Sequence, residues 1–242
     1  MPASIGRLAG LRIAHLIESD GPGGAERVLV RLATTLQAAG AANVAFLPAD
    51  GEGWIGRELQ GSGVAIEHVR LERPLSPAFA RALAGAFRRR GIAVAHSHEF
   101  TMAVYGAWAA WRAGIPHVMT MHGGSYYAAR LRRRVALRAA IAVSDRTVAV
   151  SSAVARRLAR DLGLRRSRIA IVPNGVSYER PERVTLREEL GLGGDDRLAV
   201  SVGNLYPVKG HRYLVDALGL LARRHPNLHL AIAGRGELAD AL

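Results

Sequence analysis

The chain has 242 residues, of which 33 are Lys or Arg, 20 are Asp or Glu and nine are His, giving a formal net charge of +13. It contains no cysteine, which excludes disulfides, thiolate metal sites and a cysteine nucleophile. No uninterrupted run of about 18 apolar residues occurs, and the first residues lack the basic start and long apolar stretch of a signal peptide. We therefore expect a cytoplasmic protein without a membrane-spanning helix.

The positive charge comes almost entirely from arginine, because Lys209 is the sole lysine. Arginines cluster at 88–90, 130–138 and 156–168. Nucleic acid, anionic lipid headgroups and phosphorylated small molecules are the partners that such charge suits. No zinc-finger spacing or aromatic ribonucleoprotein signature accompanies it, so nucleic acid is not an expected partner. A solvated, arginine-biased surface is the alternative.

Short apolar runs alternate with helical patterns over the first 176 residues. The apolar runs predict strands at 11–17, 44–47, 65–69, 92–96, 117–121, 147–150 and 169–172. The intervening segments predict helices at 25–39, 54–59, 77–90, 101–113, 126–143 and 152–162. This alternation is typical of an α/β fold with a mostly parallel sheet covered on both faces.

The pattern changes after Gly175. Residues 177–183 are polar and contain Pro181, which indicates a linker. A short helix at 185–190 is followed by a new strand, helix and strand at 198–202, 211–224 and 228–232. One β-α-β unit cannot bury both faces of its strands. We therefore predict a complete domain at 1–176, then a linker and the first part of a second domain at 177–242.

Ligands of open parallel sheets bind beyond the carboxyl ends of the strands. The first such loop contains Gly23 and Gly24, followed by Glu26 in the next helix. Adjacent glycines at a helix start let backbone N–H groups approach an anion. The loop is neither a G-x-G-x-x-G fingerprint nor a P-loop, and a plain tight turn is the alternative.

Histidines follow the fourth and fifth predicted strands. His122 comes at the end of the fifth, where an imidazole can donate a hydrogen bond to a substrate or act as acid or base. His96 and His98 would point to one face of the fourth strand and, with Glu99, invite a metal interpretation. The sequence assigns no third ligand, so we favour a packed His96 and predict no metal site.

The second unit also has candidate ligand-binding residues after its predicted strands. Lys209 and the glycines Gly234 and Gly236 follow its two predicted strands. A compact ammonium in a strand-to-helix loop is a common phosphate ligand. Two half-sites, one on each sheet, predict a ligand in a cleft between domains.

Six segments, in this order, resemble the retaining glycosyltransferases of the GT-B fold, family 4 type. They are residues 23–26 (GGAE), 120–123 (TMHG), 150–152 (VSS), 171–176 (IVPNGV), 202–210 (VGNLYPVKG) and 233–236 (AGRG). Together these segments are spread over nearly the whole chain. The resemblance implies a complete N-terminal Rossmann-like domain and the first β-α-β part of a second Rossmann-like domain.

The resemblance implies transfer of a sugar from a nucleotide-sugar donor to an acceptor hydroxyl, with retention and with no cofactor or essential metal. His122 would lie near the transferred sugar as the catalytic residue, and Lys209 would pair with the diphosphate. The resemblance also places residues on the two sides of the site. The other donor-side residues would be Gly23, Gly24, Asn204, Gly234 and Gly236. The acceptor-side residues would be Glu26 and His98.

The chain departs from the family pattern in two ways. Asn204 stands where the family often has Arg, which removes a charge-assisted hydrogen bond of about 1.5–3 kcal/mol. The pair of glutamates seven residues apart that the family uses to hold the donor does not follow Glu237. We therefore expect a truncated enzyme with little transfer by itself.

A split or non-catalytic subunit that binds acceptor or membrane is the alternative. A nicotinamide enzyme is disfavoured because its glycine fingerprint is missing.

The arginine-rich segment 130–138 predicts contact with anionic lipid, as in relatives with lipid-linked acceptors. The resemblance then implies a glycan or lipid-linked acceptor in the synthesis of cell-envelope glycan, glycolipid or polysaccharide. The protein would work at the inner face of the plasma membrane.

Overall fold

The computed structural model describes residues 8–49, 53–71, 76–176 and 185–242. The chain divides into two compact units, Met1–Val176 and Ser177–Leu242. The predicted linker at 177–183 lies outside the described residues.

The described part of the first unit alternates strands with helices. Its strands are β1 (Arg12–Leu16), β2 (Ala42–Pro48), β3 (Ala65–Val69), β4 (Val94–His98), β5 (His117–Met121), β6 (Arg146–Ala149) and β7 (Ile169–Ile171). Its helices are α1 (Gly24–Ala38), α2 (Trp54–Leu59), α3 (Pro77–Arg90), α4 (Glu99–Ala113), α5 (Leu131–Val143) and α6 (Ser152–Leu162).

All seven strands pair in parallel in one sheet, in the order β3-β2-β1-β4-β5-β6-β7. The predicted parallel α/β fold is confirmed. The chain changes direction across the sheet between β1 and β4, and this switch point is where open α/β sheets bind ligands. His15 of β1 is the register partner of His96 of β4.

Helices cover both faces of this sheet. On β2, Val44 and Phe46 pack against α3 and α4, while Ala45 and Leu47 pack on the face that α1 and α2 cover. Burying a large apolar side chain contributes about 1.5–3 kcal/mol. The uninterrupted apolar run of β2 follows from this two-sided burial, because alternate side chains enter different cores.

Local sequence signals fix the ends of the helices. The hydroxyl of Ser76 accepts a hydrogen bond from the N–H of Phe79, and Pro77 occupies the first turn of α3. Gly91 ends α3 in the left-handed conformation, at φ 60°. The predicted bounds of α3 are therefore the observed ones.

Several predicted boundaries were wrong. The helix predicted at 126–143 is a 3-10 turn at Tyr126–Ala129 followed by α5, because Arg130 between them is extended. The strand predicted at 92–96 runs to His98, and α4 begins at Glu99 instead of 101. Glu99 has a positive φ of 60°, unusual for a residue with a side chain. Its conformation lets the strand turn into the helix without a connecting loop.

The second unit contains α7 (Leu186–Glu189), β8 (Arg197–Val202), α8 (His211–Leu221) and β9 (Leu228–Ala233). Strands β8 and β9 are parallel and paired over their full length. A 3-10 turn at Pro207–Lys209 precedes α8, which ends three residues before the predicted 224. In the described parts of both units, no helix is both long and apolar enough to cross a bilayer.

Candidate functional site

The loop after β5 is held in place by a carboxylate from another strand end. Oε1 of Glu99 accepts a hydrogen bond of 2.9 Å from the N–H of His122, and the N–H of Gly124 also donates to this carboxylate. A Cβ atom on Gly124 would lie 3.0 Å from Oε2 of Glu99. Burial raises the pKa of Glu99, although these hydrogen bonds oppose the shift. The strained Glu99 thus anchors the segment that presents His122.

His122 faces a second buried imidazole. Its Nε2 lies 2.9 Å from Nδ1 of His98, and its own Nδ1 is buried without a hydrogen-bond partner among the described residues. Burial lowers the pKa of His122 to about 4 and that of His98 well below its usual value. Both rings are therefore neutral near pH 7. A neutral His122 can donate or accept a hydrogen bond at a ligand but is not a strong acid there.

The glycine loop after β1 approaches the same edge of the sheet. Gly23 is the extended N-cap of α1 and makes no side-chain cap, and the space above Gly24 is open. A Cβ atom on Gly23 would collide with the carboxylate of Glu26, whose Oε1 accepts a hydrogen bond from the hydroxyl of Ser19. The negative charge of Glu26 also raises the pKa of Glu99, as expected for a nearby carboxylate. Of the predicted first-unit residues, the structure brings His98 into contact with His122 and places Gly23 against Glu26.

Beside this edge, α1 covers a groove of about 330 Å³ on one face of the sheet. His96, His98 and Thr120 contribute to its lining from the sheet, and residues 173–175 close one end. The guanidinium of Arg31 donates to the carbonyl oxygen of Gly175 at 3.2 Å. The groove therefore combines a cation with neutral imidazoles on the predicted acceptor side.

A second groove of about 290 Å³ runs between α4 and α5 and is mostly apolar. Trp108 lines both it and an adjoining apolar recess that reaches Trp111. Trp111 is 64% exposed. Arg132 and Arg133 line the other end, and the Arg133 guanidinium stacks 3.5 Å from the ring centre of Tyr126. An exposed tryptophan thus adjoins an arginine-lined apolar surface.

The second unit places Lys209 at the carboxyl end of β8, just before α8. Its side chain is exposed and makes no hydrogen bond or ion pair with any residue that the structure describes. The carbonyl oxygen of Asn204 lies 3.2 Å from Nε2 of His211 in the same turn. Lys209 is therefore free to meet an anion.

The glycines after β9 have a packing reason of their own. A Cβ atom on Gly234 would lie 1.9 Å from the carbonyl oxygen of Gly203, and one on Gly236 would lie 2.6 Å from that of Leu205. Gly236 also has φ 155°. Close backbone packing alone accounts for glycine at both positions, whatever they bind.

Two residues of the site were missed from the sequence. Glu99 was considered as a metal ligand but not as the anchor of the His122 loop. His15 was not singled out, yet it lies opposite His96 and its ring is fully buried. A histidine inside a buried strand was the available signal, because a buried polar group needs a partner.

The chain matches known protein families over most of its length. The family "Glycosyltransferase Family 4" matches residues 22–180, and "Glycosyl transferases group 1" matches residues 182–242. A D-inositol 3-phosphate glycosyltransferase of Nocardia farcinica is 35% identical over 103 residues, which is 41% of this chain and 23% of that protein. A mannosylfructose-phosphate synthase of Agrobacterium fabrum is 29% identical over 102 residues, 40% of this chain and 22% of that protein. Each match thus covers less than a quarter of the relative's length.

Solved structures share the fold. The Anabaena protein Alr3699/HepE, in complex with UDP and glucose, matches with a TM-score of 0.75 and 20% identity. The match covers 96% of this chain and 63% of that one. A glycosyltransferase from Rickettsia africae matches with a TM-score of 0.72 and 17% identity, over 93% of this chain and 68% of that one. The expected GT-B fold is confirmed, and because the first family match spans more than half of the sequence, the chain belongs to glycosyltransferase family 4.

Proposed function

We propose that this chain serves the transfer of a sugar, with retention, from a nucleotide-sugar donor to an acceptor hydroxyl. One observation carries the proposal. His122 stands at the carboxyl edge of a family 4 sheet, on a loop held by Glu99, and its Nδ1 has no hydrogen-bond partner among the described residues. A ring nitrogen without a partner can hydrogen-bond a sugar hydroxyl.

The transfer breaks the bond between the anomeric carbon and the diphosphate and forms a bond to the acceptor oxygen. The acceptor hydroxyl loses its proton, and the diphosphate leaves with negative charge. Lys209 would stabilise that charge, since its ammonium is exposed and unengaged in the described part of the second unit. Backbone N–H groups at Gly24 would add the favourable end of the α1 dipole. In this reaction the nucleotide sugar is a substrate rather than a resident cofactor.

The donor role can be tested by titrating the isotope-labelled chain with uridine diphosphate and UDP-glucose while following amide chemical shifts. We expect shifts at Gly210 and Gly234, and weaker binding by about 10-fold or more in Lys209→Ala, since a hydrogen bond to a charged group contributes about 1.5–3 kcal/mol. Arg223→Ala removes one exposed positive charge elsewhere in the same unit. Equal losses in both variants would refute a specific role for Lys209.

A second candidate function is an acceptor- or membrane-binding subunit that needs a partner for donor binding. The apolar, arginine-lined groove between α4 and α5, with Trp111 exposed beside it, favours it. Turnover of nucleotide sugars by the purified chain at ordinary rates, about 1–1000 per second, would contradict it.

The groove between α4 and α5 supports a lipid-linked acceptor at the inner face of the plasma membrane. Tryptophan and arginine are the side chains that suit an anionic membrane interface. Co-sedimentation with vesicles containing anionic lipid at low salt should fall in the Arg132→Gln/Arg133→Gln double variant. The control Arg165→Gln/Arg166→Gln removes the same charge from exposed positions outside the groove. No preference for anionic vesicles, or an equal loss in the control, would count against the idea.

A further inference from the structure

Three imidazoles meet on one face of the first-unit sheet. His15 and His96 are register partners on adjacent strands, and His98 lies two residues further along β4, on the same face. The ring centres are 5.7 Å apart for His15 and His96, 6.5 Å for His15 and His98, and 4.4 Å for His96 and His98. One nitrogen from each ring lies within 4.8 Å of the other two. The fold therefore supplies the third nitrogen that the sequence left unassigned.

Hydrogen bonds fix the tautomer of His15. Its Nε2 lies 3.0 Å from the amide oxygen of Asn43, while the amide nitrogen of Asn43 donates to Gln37 and to the carbonyl oxygen of Ala41. An amide oxygen only accepts, so Nε2 of His15 carries the proton and Nδ1 holds a lone pair. Nδ1 is buried and, within the described ranges, has no partner.

The hydrogen bonds of His98 and His96 are also compatible with a ligand shared with His15. Nε2 of His98 is also buried without a partner among the described residues, while its Nδ1 faces His122. Nε2 of His96 lies 2.8 Å from the hydroxyl of Thr120, which can donate or accept as that ring requires. An unsatisfied buried polar atom costs about 1–3 kcal/mol. Two such nitrogens in one cluster therefore indicate a ligand-binding site.

We propose that His15, His96 and His98 bind a divalent transition-metal ion of the zinc class. Three neutral imidazoles without a carboxylate suit zinc, cobalt, nickel or copper rather than magnesium or calcium.

The geometry requires a small contraction. Zinc-nitrogen bonds of about 2.0–2.1 Å at tetrahedral angles place nitrogens about 3.4 Å apart, so no pair has to approach by more than about 1.4 Å. Rotation of the rings about their side-chain bonds is the movement that metal binding would require. Asn43, Thr120 and His122 are the outer hydrogen-bond partners that metal-bound imidazoles require. His96 and His98 also line the α1 groove, so water can supply a fourth ligand.

The ion would also set the state of His122, a consequence that rests on the proposed function. Metal on Nε2 of His98 leaves the proton on Nδ1, which then donates to Nε2 of His122. His122 must in turn carry its own proton on Nδ1, as a hydrogen-bond donor. His98 is then a positioning residue, and the ion fixes the tautomer of the imidazole that would face the sugar.

The test is metal binding by the untagged full chain, measured by metal content after dialysis against zinc and by the visible spectrum of the cobalt form. We expect one ion per chain and a tetrahedral cobalt spectrum. His15→Asn and His96→Gln should each weaken binding by about 10-fold or more. His68→Ala removes an exposed imidazole of the same unit and should bind like the wild type. Binding that is absent, or equal in all three variants, would overturn the proposal.

Two further measurements on the wild type keep the proposal testable if the variants fail to fold. Zinc should raise the melting temperature and a chelator should reverse the rise, because a ligand of the native state stabilises it. Histidine nitrogen chemical shifts should show His98 protonated at Nδ1 only with zinc bound. Unchanged melting and shifts would refute the metal site. Such a result leaves the donor titration intact, so failure here is distinguishable from failure of the proposed function.

Discussion

The two units of this chain differ in how far their strands are buried. In the first unit, Phe46 and Leu29 are fully buried between a seven-stranded sheet and its helices. In the described second unit, two strands pair alone, and Val202 and Leu220 are 80% and 84% exposed. A parallel sheet is stable when both faces are covered. The contrast implies that the first unit holds most of the folding free energy, while the second offers an exposed ammonium on a looser scaffold.

The largest expected effect tests that contrast directly. Phe46→Ala should lower the free energy of unfolding of the first unit by about 3–5 kcal/mol, because it removes an aromatic ring from a filled core and leaves a cavity. Leu220→Ala should change stability by under about 0.5 kcal/mol, as expected at an exposed position. Chemical denaturation monitored by circular dichroism measures both. Similar losses would show that the second unit is as tightly packed as the first.

Acid should destabilise the first unit through His117, whose ring lies 2.9 Å from the hydroxyl of Ser97 and 2.7 Å from that of Ser144. Burial lowers its pKa from 6.5 to about 4. As the pH falls below 6.5, the His117 imidazole of the unfolded chain binds a proton. The buried His117 imidazole of the folded chain binds a proton only near pH 4. Stability is therefore complete above pH 6.5 and is lost toward pH 4, by about 1.4 kcal/mol per pH unit and about 3 kcal/mol in all.

The measurement is the free energy of unfolding of wild type and His117→Asn at about pH 7 and about pH 5, which both lie near or inside this window. The other buried imidazoles act in the same direction in both proteins, so the difference between the two pH slopes isolates His117. His225→Asn, at an exposed position, should keep the wild-type slope. A His117→Asn slope equal to that of the wild type would contradict the burial argument.

Glu99→Gln probes how firmly the His122 loop is fixed. The amide keeps the shape of the side chain but loses the charge that accepts from the N–H groups of His122 and Gly124. We expect a loss of about 1–2 kcal/mol, since hydrogen bonds to charged groups contribute about 1.5–3 kcal/mol and neutral ones about 0.5–1.5. Amide hydrogen exchange at His122 and Gly124 should accelerate accordingly.

The matched control for this substitution is Glu67→Gln, which removes a carboxylate that pairs with Arg90 at 2.7 Å near the surface. Surface ion pairs contribute about 0–1 kcal/mol. Exchange at His122 should therefore be unchanged in that control. Unchanged exchange in Glu99→Gln itself would show that the loop does not depend on its carboxylate.

Periodicity predicted the elements of both units well where apolar and capping signals agreed, as at α3 with Ser76, Pro77 and Gly91. It failed where a tertiary contact decided the outcome. Nothing local indicates that Glu99 would adopt a positive φ, because the stabilising N–H groups belong to the loop after β5. Arg130 likewise carries no helix-breaking signal, yet it interrupts the helix predicted at 126–143.

For the residues of the candidate site too, local signals predicted some positions, while tertiary contacts determined the others. Glycine loops and His122 were predictable because strand ends of parallel sheets are where ligands bind. The meeting of His15 with His96 depends on strand order, which places β1 beside β4 although about eighty residues separate them. Pairing of strands distant in sequence is not encoded in a local pattern. Once that order is assumed, the register follows, and a buried His15 opposite His96 becomes a testable consequence.

The smallest expected effect sharpens the comparison from the side of the second unit. Gly219 lies inside α8, and a Cβ atom there would meet nothing within 4 Å. Gly219→Ala should therefore stabilise this helix by about 0.5–1 kcal/mol, the difference in helix propensity. We expect the second unit to open more easily than the first because its strands are uncovered. In Gly219→Ala, amide exchange in α8 should then slow about 2- to 5-fold, while exchange in β1 and β4 stays unchanged. Slowing in both units would mean that they open together, and the weaker burial of the second would then not make it the first to unfold.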